Sequence, residues 1–276
     1  VEVRKNLRII EGPNFGKYPY SNSLLVGRSC LIDTGAREAL KDVRVDWILN
    51  SHWHEDHIAL NRVGRRVAVH HLDAEAVQNY EEFKRRYALG DLVKLFVNFE
   101  FGRVDRTFED GDVFEFEGIQ VEVLHTPGHS AGHSCFVIGG VMFLADVDLT
   151  PFGPWYGCLD CDVRDFVLSI EKIKNEVRKR EVSLAIPSHG KPVSGTEEIL
   201  RRLDDYLREG QEDKGASAVR GGSCREGCHL KESARAEGDI PPLREDNDRK
   251  APNCAPRRAL PLKSGKSLPD DLIVWH

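Results

Sequence analysis

An α/β fold is what this 276-residue sequence predicts, and three observations carry the prediction. Short apolar runs bounded by turn residues recur from Leu7 to Pro187, the pattern of buried strands. Several of those runs stop on a histidine or an aspartate. Between and after them lie stretches with helical spacing and few breakers. A chain of this length can bury one large core or two small ones.

Taken in order, residues 7–10, 23–26 and 30–33 read as strands separated by turns. Residues 45–50, Val-Asp-Trp-Ile-Leu-Asn, form a short buried strand, and directly after it comes Ser51-His52-Trp53-His54-Glu55-Asp56-His57. Three imidazoles and a carboxylate in six residues are the expected form of a metal site, since neutral nitrogen donors with a hard oxygen suit Zn²⁺ and similar divalent ions. In extended chain His52 and His54 point to the same side. Asp56 and His57 are adjacent and would point apart, so a helix is expected to start here with Asp56 near its amino end.

Residues 66–70 read as another strand, and 74–98 as one or two helices capping the sheets. Glu109-Asp110-Gly111-Asp112 carries a hairpin signal of the Asp-Gly type between strands at 104–108 and 113–116. After the strand-like 119–124, the loop His125-Thr126-Pro127-Gly128-His129-Ser130-Ala131-Gly132-His133 has the glycines and proline of a tight turn presenting a histidine. The apolar run 141–145 ends in Asp146-Val147-Asp148. Phe166, Ile170, Ile173 and Val177 place a helix over 165–179, packed on a sheet. Residues 184–187 end in Ser188-His189-Gly190. One strand-end histidine or aspartate is more often structural than functional; four such elements in order point to one site.

These motifs resemble, over about residues 10–191, the metallo-β-lactamase-fold hydrolase superfamily, in particular its glyoxalase II-like and lactonase-like branches. Leu31-Ile32-Asp33-Thr34-Gly35 resembles the first motif, the His-x-His-x-Asp-His run the second, and His129, Asp146 and His189 stand at the third, fourth and fifth. The resemblance implies a four-layer αβ/βα sandwich with metals at one edge. It implies that His52, His54 and His129 hold one ion, that Asp56, His57 and His189 hold the other, and that Asp146 bridges them. Asp33 and His133 are expected behind the ligands, orienting them. The fourth motif reads Ala145-Asp146-Val147-Asp148 where Gly-Asp is common; Asp146 directly follows the strand and is preferred, with Asp148 on the same side as the alternative.

Such a site implies two divalent ions, Zn²⁺ first with Fe or Mn as alternatives. The expected chemistry is hydrolysis of a small ester, thioester or lactone by a metal-bridging hydroxide, with Asp56 helping to hold the nucleophile's proton. Trp155 and Tyr156, in an aromatic loop after the bridging carboxylate, are candidate pocket walls, with covering the core edge as the competing role. Two other readings share the ligands, and a third departs from them. A phosphodiesterase or nuclease would want a basic groove or an exosite arm, and neither is plain. A mononuclear-iron sulfur dioxygenase uses a similar set. A diiron flavoprotein would carry Glu at the position of His54. A non-catalytic binding module would be expected to have lost ligands, and all seven are present.

Composition bounds the rest. The formal net charge of −6 argues against a protein whose main role is binding nucleic acid. Lys84-Arg85-Arg86 and Arg178-Lys179-Arg180 read as solvated helix faces. No run of eighteen apolar residues and no basic-then-apolar start is present, so neither a membrane span nor a secretory signal is expected. Seven cysteines fit reduced thiols in a cytoplasm. Cys158-x-x-Cys161 and Cys224-x-x-x-Cys228-His229 read as incidental, and His70 and His71 as structural. The expected partner is a small-molecule substrate, without membrane or nucleic acid; self-association into a homo-oligomer is compatible with the sequence.

Residues 1–210 are therefore the expected metallohydrolase domain. In residues 211–276, Leu, Ile, Val and Phe total ten of 66, too few to bury a core, and six of the thirteen prolines fall there. That segment is expected to be a disordered extension.

Overall fold

The computed structural model describes residues 1–150 and 157–212, with side chains as far as residue 208. All of these fall within one compact unit, Val1–Ser223. The expected extension, apart from two residues, and the expected pocket walls Trp155 and Tyr156 lie outside the described residues.

Two mixed sheets form the centre. The first holds seven strands in sequence order: β1 (Glu2–Arg4), β2 (Leu7–Ile10), β3 (Ser23–Val26), β4 (Cys30–Ile32), β5 (Val45–Leu49), β6 (Gly64–His70) and β7 (Arg106–Phe108). Pairing is antiparallel through β4 and parallel from β4 to β7. The second contains β8 (Val113–Phe116), β9 (Ile119–His125), β10 (Ser134–Ile138), β11 (Val141–Ala145), β12 (Leu184–Pro187) and β13 (Val193–Ser194), ordered 13-12-11-10-9-8. Only the β11–β12 pair is parallel.

Apolar side chains from both sheets, among them Ile9, Leu24, Ile32, Phe108, Phe114, Phe136 and Phe143, meet in one core between them. The outer face of the second sheet buries Leu124, Met142 and Leu144 under two long helices, α5 (Val163–Lys179) and α6 (Thr196–Glu212). Phe166, Ile170, Ile173 and Val177 of α5 are all buried, the stripe that their spacing predicts. Asp162 caps α5 by accepting from the Arg164 and Asp165 backbone N–H groups.

Over the first sheet lie an irregular turn, α1 (Pro13–Gly16), and three short helices, α2 (Glu55–Ile58), α3 (Ala74–Gln78) and α4 (Tyr80–Tyr87). Val69 of β6 packs there with Trp53, Val77, Phe83 and Tyr87. The layers are thus helix, sheet, sheet, helix, a four-layer αβ/βα sandwich.

One sequence expectation is corrected here. The Asp110-Gly111 turn forms, with the Asp112 N–H donating to Glu109 O at 3.2 Å, but it joins no hairpin. β7 pairs with β6 in the first sheet and β8 with β9 in the second. Phe108 and Phe114 meet edge to face across the core at 6.0 Å, so burying both aromatics against opposite sheets outweighs pairing the two segments with each other.

Candidate metal centre

The site begins where β5 stops. His54 is still extended (φ −66, ψ 152) and serves as the residue preceding α2, so the chain turns into helix between His54 and Asp56. The turn is held by the loop after β4: the Thr34 N–H and Oγ1 both donate to His57 O at 2.8 Å, and Asn50 Nδ2 adds a third bond at 3.2 Å. Ser21 Oγ donates to Asp56 O at 2.7 Å. Gly35 is required by this packing, because a Cβ there would sit 1.8 Å from Asp56 O.

Seven side chains from four strand ends then converge. His54 Nδ1 lies 2.9 Å from His52 Nε2 and 2.9 Å from His129 Nε2. Asp146 Oδ2 is 3.0 Å from His129 Nε2 and 3.7 Å from His52 Nε2. The other Asp146 oxygen faces the remaining donors: Oδ1 is 3.0 Å from His57 Nε2 and 3.5 Å from His189 Nε2. Asp56 closes that second group, Oδ1 3.6 Å from His57 Nε2 and Oδ2 3.3 Å from His189 Nε2. Two ligands of one tetrahedral ion at about 2 Å are separated by roughly 3.3 Å, so spacings of this size suit atoms that share an ion.

Two donor groups result, His52/His54/His129/Asp146 and Asp56/His57/His189, each with ligand atoms within 4.8 Å of one another. Asp148 joins Asp146 and His189 in a third grouping. It accepts the His189 backbone N–H at 3.2 Å, and burial raises its pKa to about 7.

Buried hydrogen bonds set the imidazole orientations. Asp33, fully buried, takes the Ser51 N–H and Oγ–H at 2.8 and 2.6 Å and lies 2.8 Å from His57 Nδ1. His189 Nδ1 lies 2.6 Å from Gly16 O. An Nδ1 proton on each ring fits these contacts and aims both Nε2 lone pairs into the site. His133, neutral because burial lowers its pKa to about 3, donates from Nδ1 to Thr126 O and accepts the Asp146 N–H at Nε2, positioning the shared carboxylate.

The field at the site favours cations. Burial, with neighbouring imidazoles, holds His52 and His54 well below the usual histidine pKa. Burial also opposes protonation of His57 and His189, yet the surrounding aspartates outweigh it and raise both well above the usual value. His129 rises to about 8, Asp146 again outweighing burial. His57 Nε2 and Asp146 Oδ1 are buried 3.0 Å apart, and neither makes a hydrogen bond. Buried atoms this costly to leave unmet, among nitrogen and oxygen donors only, fit a divalent cation.

Several contributors escaped sequence reasoning. Ser51 links Asp33 to His52, its Oγ lying 3.0 Å from His52 Nδ1. Glu55 is buried between Tyr18 and Tyr87, both of which donate to it. Asp73 accepts from Ser130 Oγ and the Gly132 N–H while pairing with Arg86, which also binds Asp160, so the helices of 74–87 brace the His129 loop. Cys158 Sγ lies 3.4 Å from His54 Nε2, and Cys161 Sγ donates to His129 O at 2.9 Å. The Cys-x-x-Cys spacing was the one signal for them. His70 and His125 stack at 4.0 Å, outside the donor groups. No helix among the described residues is long and apolar enough to cross a membrane.

Comparison with known proteins places this arrangement. The sequence profile of the metallo-beta-lactamase superfamily matches residues 19–204. Acyl-coenzyme A thioesterase MBLAC2 of Homo sapiens is 28% identical over 202 residues, covering 69% of this chain and 70% of that protein. Lactamase-like protein ptaB of Pestalotiopsis fici is 29% identical over 52% of this chain and 45% of its own length. Atrochrysone carboxyl ACP thioesterase of Aspergillus fumigatus is 28% identical over 50% of this chain. This chain spans only 32% of that thioesterase, and under half of ptaB. A metallo-beta-lactamase family protein from Thermus thermophilus shares the fold at a TM-score of 0.61 and 21% identity, covering 80% of this chain and 85% of that one.

Proposed function

The chain belongs to the metallo-beta-lactamase superfamily, and from that premise we propose that it is a metal-dependent hydrolase of thioesters. The observation that carries the hydrolase reading is Asp146, one oxygen turned to each of two histidine groups. Relatives named as thioesterases support the substrate class. In this reading His52, His54, His129 and Asp146 hold one divalent ion, and Asp56, His57, His189 and Asp146 the other. The donors suit Zn²⁺, with Fe or Mn as alternatives. Ions bound there supply Lewis acidity and lower the pKa of coordinated water toward neutrality.

The chain's own residues set the geometry. Asp33 and Gly16 O fix the faces of His57 and His189, and His133 fixes Asp146. Asp56, buried between His57 and His189, is placed to take the attacking water's proton on a carboxylate oxygen. Cys158 does not serve as a nucleophile in this reading, because burial pushes its thiol far above the usual range and keeps it protonated. Free thiols at Cys30, Cys135, Cys158 and Cys161 support a reducing compartment, the cytoplasm.

Elemental analysis of the purified protein, paired with a screen of thioester, lactone and phosphodiester substrates, tests the proposal. The expected result is two equivalents of zinc per chain and thioester turnover that a chelator abolishes and zinc restores. Turnover confined to phosphodiesters, or one iron per chain with oxygen consumption, would replace this reading with the phosphodiesterase or sulfur dioxygenase one.

A further inference from the structure

A concavity between the segments that follow β4 and α2 has a cationic lining. Arg37, Lys41, Arg44 and Arg62, with Asn98 and Phe99, wall a cleft of about 400 Å³. Glu38 is the one lining acid, so four positive charges less one negative leave +3 around the cleft, in a chain whose net charge is −6. Several cations elsewhere are paired: Arg86 with Asp73, Lys174 with Asp204, Arg180 with Glu122, Arg201 with Asp205. Among the described residues none of the four cleft cations forms an ion pair.

Their placement is not that of idle surface charge. The Arg37 guanidinium lies 5.6 Å over the Tyr20 ring, and its Nε is buried without a hydrogen-bond partner. Arg44 Nη1 donates to Lys41 O and Val43 O, which stiffens the rim. Like charges held together with an unmet donor repel one another, and an anion relieves both costs. Arginine forks match phosphate oxygens in particular.

One end of the cleft reaches toward the chemistry. Ala59 and Leu60 in its lining directly follow α2, which carries Asp56 and His57. The Leu60 N–H donates to Thr34 Oγ1, the hydroxyl that binds His57 O. Lys41, Arg44 and Arg62 precede the paired starts of β5 and β6, so the cationic wall lies about one strand's length from the ligands that follow Leu49, a span for an extended arm.

We propose that this cleft binds the phosphate-bearing adenosine end of a coenzyme A thioester, so that the pantetheine arm carries the acyl bond to the metals. The proposal rests on the thioester reading above. The cleft's size falls in the small-ligand range. Partly exposed Phe99 offers a flat apolar wall to a base. A carrier protein would present a broad acidic face and have no need of a concavity.

Two measurements on the full chain test it. The first is calorimetric binding of adenosine 3′,5′-bisphosphate, which requires no turnover. The second is the ratio of kcat/KM for an acyl-CoA to that for the N-acetylcysteamine thioester of the same acyl group. Wild-type protein should bind the bisphosphate one to one and more weakly as salt rises. Lys41→Glu and Arg62→Glu, both at exposed positions, should each weaken that binding roughly tenfold or more and lower the ratio similarly, mainly through KM. Lys5→Glu, exposed and outside the cleft, should leave the bisphosphate affinity as it is. Turnover of the truncated thioester without bisphosphate binding would overturn the cleft assignment and leave the hydrolase reading standing. Bisphosphate binding that the variants abolish, in a protein inert to every thioester, would keep the nucleotide site and overturn the thioester reading. Variants that impair only a carrier-protein thioester would assign the face to that partner instead.

Discussion

Asp33 shows how much of the site is decided by a residue outside the donor groups. It sits at the end of β4 with φ 56, and its two oxygens are shared between Ser51 and His57 Nδ1. Asp33→Asn keeps the size but loses the charge that fixes the His57 proton. Metal affinity should fall about 10–100-fold while the fold survives; a chelator competition titration alongside circular dichroism measures both, and unchanged affinity would mean that His57 needs no such support. Protons compete for the same nitrogens. His129 carries a folded pKa of about 8 against an unfolded value near 6.5. Its contribution is therefore complete below the unfolded value and lost as pH rises through the folded one. His57 and His189, raised by their aspartates against burial, act with the same sign. The Tm of metal-stripped protein should drop between about pH 6.5 and 8.5, whereas the loaded protein, with those nitrogens occupied, should not show that drop. Parallel melts with and without chelator decide the matter; identical profiles would sink it.

At the level of elements, the loops after strands do the positioning, and they depend on close approach. Gly128 adopts φ +131, and a Cβ there would meet the Phe166 backbone at 2.4 Å. The glycine thus seats the His129 loop against the start of α5, where the Asp162 N–H donates to Gly128 O. Gly128→Ala combines an unfavourable φ with a backbone clash, so a loss of about 2–4 kcal/mol in stability is expected. Denaturant melts measure that loss, and metal analysis should show an ion missing from the His52/His54/His129 group first. Loss of stability with both ions retained would show that the loop tolerates displacement.

At the scale of the whole molecule, every donor comes from residues 52–189, on strand ends of two sheets held face to face by one core. A chain ended after Glu212 retains α6, whose Leu203 and Tyr206 cover the second sheet. It should keep its metal content and nearly all of its hydrolytic rate, because residues 213–276 have too little apolar content to build a pocket wall. A shortened protein that bound metal but failed to turn over substrate would show that the last segment closes the site.

The His-x-His-x-Asp-His run, the strand-end positions of His129, Asp146 and His189, and the helical stripe of α5 were legible because each depends on local order: donor type, spacing and periodicity lie within a few residues. The alternation of strands and helices was legible for the same reason. What tertiary structure decided was which distant segments meet. The segments flanking Asp110-Gly111 have the pattern of a hairpin, yet they belong to opposite sheets, because burial of Phe108 and Phe114 depends on partners far along the chain. Ser51, Glu55, Asp73 and the Cys158–Cys161 pair acquire their roles only when folding carries them to the donor groups. The four cations of the cleft are inconspicuous at positions 37, 41, 44 and 62, and become one surface only through the packing of the loops that follow β4 and α2. Chemistry that needs a few adjacent residues is written in the sequence, whereas chemistry that needs side chains remote in sequence is settled by the core that brings them together.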